Sequence, residues 1–144
     1  MRPVKILLLL ICSLGLSAAA PPVAPPAAED PVYELSLLDL MSIEYKPGEK
    51  LPTWVRALNG HKVRVEGYMA LGTPEGLEKF ELVWDSCGCG QSIVNHFIEV
   101  TLTEETTAFN PDIIYVEGYF YASEVREDGY IVSLFRLKAP KIQI

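Results

Sequence analysis

Two copies of one strand motif, each with a glycine at its middle, limit what this chain can fold into. Residues 65–70 read VEGYMA and residues 116–122 read VEGYFYA. Around the first copy, Val63, Val65 and Gly67 alternate with Arg64, Glu66 and Tyr68. That is the two-residue period of a half-buried β-strand. A glycine weakens a strand interior, and it is expected there where a sheet bends sharply, as at a barrel corner. Residues 80–84, 97–102, 113–122 and 130–137 also read as strands, and turn signals separate them. These signals are Gly72-Thr73-Pro74-Glu75-Gly76, Asn110-Pro111-Asp112 and Glu127-Asp128-Gly129. Five short strands with two sharp corners predict a mainly β domain: a small five-stranded OB-like barrel.

The segment before the first motif predicts a short helical prelude. Residues 32–42 place Leu35, Leu37, Leu38, Leu40 and Met41 at spacings that suit a short amphipathic helix, with a strand as the alternative. Tyr45-Lys46-Pro47-Gly48 reads as a turn. Residues 52–58 read as a helical turn that presents Trp54, Val55 and Leu58 to the core, and Asn59-Gly60 as a tight turn.

The first 31 residues have a different character. Arg2 and Lys5 precede an apolar run over residues 6–16, and the small residues Ser17, Ala18, Ala19 and Ala20 follow it. That order is the signature of a secretory signal peptide, with cleavage expected after Ala19. The apolar run is shorter than the roughly 20 residues that span a bilayer, so no stable membrane insertion is expected. Residues 20–31 are rich in proline and alanine and read as an extended linker. The chain thus divides into a signal peptide (1–19), a linker (20–31) and one domain (32–144). Its short basic start and proline-rich linker point to the bacterial periplasm.

Charge narrows the partners. Two of the 12 basic residues lie in the leader. The remaining 10 face all 19 acidic residues, a formal charge of −9. Such a field repels phosphate backbones, so no nucleic acid is expected as a partner, and cations or basic partners are attracted.

Chemistry concentrates in residues 85–96, DSCGCGQSIVNH. This connection holds Cys87 and Cys89, the only cysteines beyond the leader, and His96, one of two histidines in the chain. Three readings stay open. In the first, Cys87 and Cys89 supply thiolates, His96 an imidazole and Asp85 a carboxylate, a donor set that suits zinc or copper. In the second, Cys87 and Cys89 form a disulfide, as an even cysteine count in an oxidising compartment favours. The small ring would be strained and open to redox use. In the third, the loop is a glycine-rich connection with two free thiols. The sequence has no G-x-S-x-G, H-E-x-x-H, P-loop or G-x-G-x-x-G motif. His61 reads as solvent-facing. Glu66 and Glu117 read as exposed partners of Arg64 or Arg126. Tyr68, Tyr115, Tyr119, Tyr121 and Tyr130 read as core and cross-strand packing.

The run over residues 51–70, LPTWVRALNGHKVRVEGYMA, resembles an uncharacterised family of secreted bacterial domains, domain of unknown function thirty-two ninety-nine. Pro52, Ala57, Leu58, Asn59, Gly60, Val63, Val65, Gly67, Tyr68 and Met69 match its pattern, and Cys87, Asn95 and Val100 are similar to later positions. The likeness covers roughly residues 33–138. In the loop this chain departs from it: Gly88 separates the cysteines, and Gln91-Ser92-Ile93 stands where the family has prolines. The resemblance implies a periplasmic accessory protein linked to metal handling or transport, with no activity to carry over. The expectation is therefore a non-enzymatic binding or accessory domain that engages a metal ion or a periplasmic transport protein through residues 85–96. A thiol–disulfide protein and a protein-interaction module are the alternatives.

Overall fold

In the computed structural model the two echo strands lie side by side. The structure describes residues 30–86 and 93–144, so the expected signal peptide and nearly all of the linker lie outside the described residues. Strand β1 (Val32–Leu35) leads into helix α1 (Leu37–Met41), then helix α2 (Thr53–Ala57) and β2 (Lys62–Met69). β3 (Lys79–Val83), β4 (Phe97–Leu102), β5 (Ile114–Glu127), β6 (Tyr130–Ala139) and β7 (Ile142–Gln143) follow. The domain is mainly β, as expected. None of the described helices is long and apolar enough to cross a membrane.

The pairings run in a ring. β2 pairs antiparallel with β3, and β3 with β4; β4 pairs parallel with β6; β6 pairs antiparallel with β5. β5 then returns to β2, antiparallel from Lys62↔Tyr119 to Gly67↔Ile114. β1 and β7 are attached to this ring, β1 parallel to β2 and β7 antiparallel to β5.

Both motif glycines sit where a strand changes partner. β2 pairs with β5 up to Gly67 and with β3 from Tyr68. β5 pairs with β2 up to Tyr119 and with β6 from that same residue, one position after Gly118. A Cβ on Gly67 would lie 2.7 Å from the Val83 carbonyl oxygen, and one on Gly118 would overlap the Lys138 carbonyl. Glycine is needed here because the passing backbone leaves no room for a side chain.

Inside the ring, Val63 and Val65 of β2 meet Ile98, Val100, Val116, Phe120, Phe135 and Leu137 in one buried cluster. The Phe120 and Phe135 rings stack with centroids 5.9 Å apart. Leu37 and Leu40 from α1 and Val55 from α2 join that core. The connection between β5 and β6 is two residues, Asp128 and Gly129, both at positive φ, which matches the right-handed twist of the flanking strands.

Several expectations need correction. There are seven strands among the described residues, against five expected. Residues 32–35 form a strand, because pairing with β2 satisfies their backbone groups, and the helix begins only at Leu37. Residues 142–143 add a short edge to β5, which local periodicity could not show in two residues. Of the three side chains expected in the core, Val55 is buried and Leu58 packs against the core partly buried, but Trp54 is 42% exposed on this single short turn. Tyr115, Tyr119, Tyr121 and Tyr130 are exposed and lie outside the core, whereas Tyr68 packs against buried residues, beside Ala70, Val83 and Phe97.

Candidate functional site

Residues 84–96 connect two strands that are directly hydrogen-bonded. β3 ends at Val83 and β4 begins at Phe97, and those two residues are register partners. The two ends of the connection therefore start side by side. Asp85 leaves β3 exposed, and His96, half-buried, enters β4. Asn95 fixes the returning end. It is buried, and its side-chain amide donates to the Met41 carbonyl at 3.3 Å and the Ile43 carbonyl at 3.0 Å. These carbonyls lie at the end of α1 and just past it. The His96 amide donates to the Ile93 carbonyl at 2.8 Å and closes a turn.

The fold thus brings Asp85 and His96 to the base of one loop. Cys87 and Cys89 lie outside the described residues. Among the described residues no group of three or more histidine, cysteine, aspartate or glutamate side chains is placed to hold a metal ion. Any site of the expected kind would have to draw its thiolates from residues 87 and 89. Asp85 and His96 are chemically suited to complete such a set.

The residues that carried the family resemblance serve the scaffold. The Pro52 carbonyl accepts the Arg56 amide at 3.1 Å and opens α2. The Asn59 side-chain oxygen accepts the Ala122 amide at 2.8 Å, and the Gly60 amide donates to the Phe120 carbonyl at 2.7 Å. Gly60 has φ 80°, so the turn that sends the chain into β2 depends on glycine there.

The charged groups form local pairs. Glu117 bridges Lys62 at 2.7 Å and Arg64 at 3.0 Å, and its hydrogen bond with Lys62 holds its carboxyl below the usual range. Glu66 faces Tyr115 across the strands and raises the Tyr115 hydroxyl by hydrogen bonding. Arg126 pairs with Glu124 at 2.7 Å. Sequence reasoning missed what else Glu124 does. It accepts a short hydrogen bond from the Tyr45 hydroxyl and one from the Gly48 amide at 2.7 Å. The Tyr45 bond, the Gly48 amide and Arg126 together pull the Glu124 carboxyl down to about 2. Burial first, then Glu124, pushes Tyr45 up to about 12. His61 is exposed and meets the Tyr33 ring edge-on at 5.6 Å.

No family model matches the sequence, and no curated protein matches it. Solved structures do. The crystal structure of a DUF3299 family protein from Pseudomonas aeruginosa PAO1 matches with TM-score 0.52 and 18% identity, over 78% of this chain and 95% of that one. The fold is DUF3299-like. A second structure, OBody AM3L09 bound to hen egg-white lysozyme, has TM-score 0.38 and 16% identity over 67% of this chain and 95% of that one. Its likeness is too slight to add to the description. In the DUF3299-like fold, Asn59, Gly60, Gly67 and Asn95 shape the sheet and anchor the loop, which explains why a motif drawn through them reports architecture.

Proposed function

We propose that the ring of pairings is an OB-like barrel and that the protein is a secreted, periplasmic, non-enzymatic binding or accessory domain. The loop 85–96 is its working part, engaging a metal ion or a periplasmic transport partner. One observation carries this reading: the loop is held at both ends by rigid structure. The Val83↔Phe97 pairing sets its base, and Asn95 ties its return to the end of α1. A loop held on a rigid scaffold is where binding residues gather. If the loop takes a metal, Cys87, Cys89, His96 and Asp85 would hold it, and zinc or copper would supply a closed, ligand-filled centre.

The test is elemental analysis of the secreted protein, purified without chelators, with a free-thiol count on the same sample. About one zinc or copper per chain, lost in a Cys87→Ser, Cys89→Ser double variant, is the expected result for the metal reading. Absence of both metal and free thiols would replace it with a Cys87–Cys89 disulfide, whose potential would then decide the thiol–disulfide alternative. Two free thiols and no metal would leave a protein-interaction module with a structural loop.

A further inference from the structure

A cavity of about 340 Å³ opens beside the base of the loop, lined by Glu66, Gly67, Tyr68, Trp84, Asp85 and Ile113. Its residues come from three places: β2, the chain just past β3, and the chain just before β5. From its geometry and charge we infer that it is a binding pocket for the guanidinium group of an arginine presented by a protein partner.

The walls favour a flat organic cation. Trp84 is 40% exposed and Ile113 is 41% exposed. Both are large apolar side chains left at the surface around a recess. Tyr68 stands beside them, backed by Ala70, Val83 and Phe97. An indole face attracts a cation, and a guanidinium plane stacks on it with little loss of hydration. Glu66 and Asp85 add two carboxylates to the same recess. Tyr115 is the register partner of Glu66 across β2 and β5, so it stands beside that carboxylate.

The chemistry discriminates among cations. Carboxylates reward N–H donors, and the planar fork of guanidinium can meet a carboxylate through two parallel hydrogen bonds. A quaternary ammonium has no such donors. A bare divalent ion of the calcium type wants six or more oxygens, and the Trp84 and Ile113 walls supply none. An anion would enter against the formal charge of −9 beyond the leader. That charge also favours a peptide-borne arginine over the free amino acid, which carries a carboxylate of its own. The inference needs no metal in the loop, and a metal that recruited Asp85 would compete for its carboxylate; titration in metal-free buffer therefore tests the pocket apart from the metal reading.

Trp84 is the natural reporter. A Trp54→Phe background removes the other indole, so emission reports the cavity alone. The probes are a blocked Gly-Arg-Gly peptide, its Gly-Lys-Gly counterpart, and free L-arginine, all in metal-free buffer. The arginine peptide should change Trp84 emission saturably. The lysine peptide and free arginine should each bind at least several-fold more weakly. Glu66→Gln and Asp85→Asn should each weaken the arginine peptide roughly tenfold with unchanged circular dichroism. Glu81→Gln, on the separate β3–β4 surface, should leave binding as it is. No saturable response, or equal response to the arginine and lysine peptides, would overturn the pocket. Tighter binding of free L-arginine would overturn the protein-partner assignment in favour of a free amino acid.

Discussion

Residues 51–70 and residues 85–96 divide the labour of this domain. In the first segment nearly every distinctive residue has a structural task. Pro52 opens α2, Asn59 and Gly60 tie the following turn to β5, and Gly67 lets β2 pass from β5 to β3. In the second segment the distinctive residues are of types that can act as thiol nucleophiles or ligate a metal, and its described ends adjoin the paired strands β3 and β4. Asn95 is the exception that joins the two, since it belongs to the loop and serves the scaffold. The contrast teaches that the recognisable part of this sequence describes how the ring of strand pairings closes. The part that departs from the pattern is the loop to which the metal or transport partner is assigned by proposal, and the arginine pocket spans both parts.

The severest test of that division is to crowd the corners. Gly118→Ala puts a Cβ onto the Lys138 carbonyl, which is backbone of β6 and cannot step aside. A loss of about 3 kcal/mol or more is expected from overpacking. Gly67→Ala meets the Val83 carbonyl at 2.7 Å and two movable leucine side chains, so about 2 kcal/mol is expected. Urea denaturation measures both. Equal, small losses would mean that the echo motif is not a pair of corners.

Asn95→Ala comes next. It removes two part-buried hydrogen bonds and leaves the Met41 and Ile43 carbonyls without that donor, at a cost of about 2 kcal/mol. The sharper readout is local. Amide exchange should rise at residues 93–96 and at the end of α1 before it rises in β2 or β5. Uniform exchange would show that Asn95 supports the whole core rather than the loop's return.

Strands β2 to β6 and the turns were legible in the sequence because each is written in its own segment, as alternation or as turn residues, and the two motif glycines stood out by their repeat. β1 was not, because Val32–Leu35 is a strand only through its parallel pairing with residues 62–65. The same limit hid the clamp between Tyr45 and Glu124, which are 79 residues apart. It also hid the cavity, whose walls come from three separated stretches. Asp85 and His96 could be read as loop ends, but only the Val83↔Phe97 register explains why they share one base.

The Tyr45–Glu124 clamp offers a milder comparison, since it ties the segment before α2 to the far end of β5. Glu124 is held at about 2, below the unfolded carboxylate value of about 4.3. A depressed carboxyl stabilises the fold above the unfolded value, and that contribution disappears as pH falls through about 2. Tyr45, raised to about 12, works in the other direction. Its contribution is complete below about 10 and is lost as pH rises through about 12. Wild type should therefore exceed Glu124→Gln in melting temperature near neutral pH, and the gap should narrow toward pH 2. A gap that is constant from pH 7 to pH 2 would mean the carboxylate charge contributes nothing.

The smallest effect is expected where the chemistry is densest. In metal-free, reducing buffer the Cys87→Ser, Cys89→Ser double variant should change stability by less than about 0.5 kcal/mol, the range of surface substitutions with no structural task. The reason is the position of the anchors. Asn95, bonded to the Met41 and Ile43 carbonyls, and the β3–β4 pairing anchor the described ends of the loop. A disulfide between residues two apart closes so small a ring that opening it frees little chain entropy, so even the oxidised protein should lose little. A loss comparable to that of Asn95→Ala would break the comparison. The cysteines would then be part of the scaffold, and the proposal that the loop 85–96 is the binding region would fall.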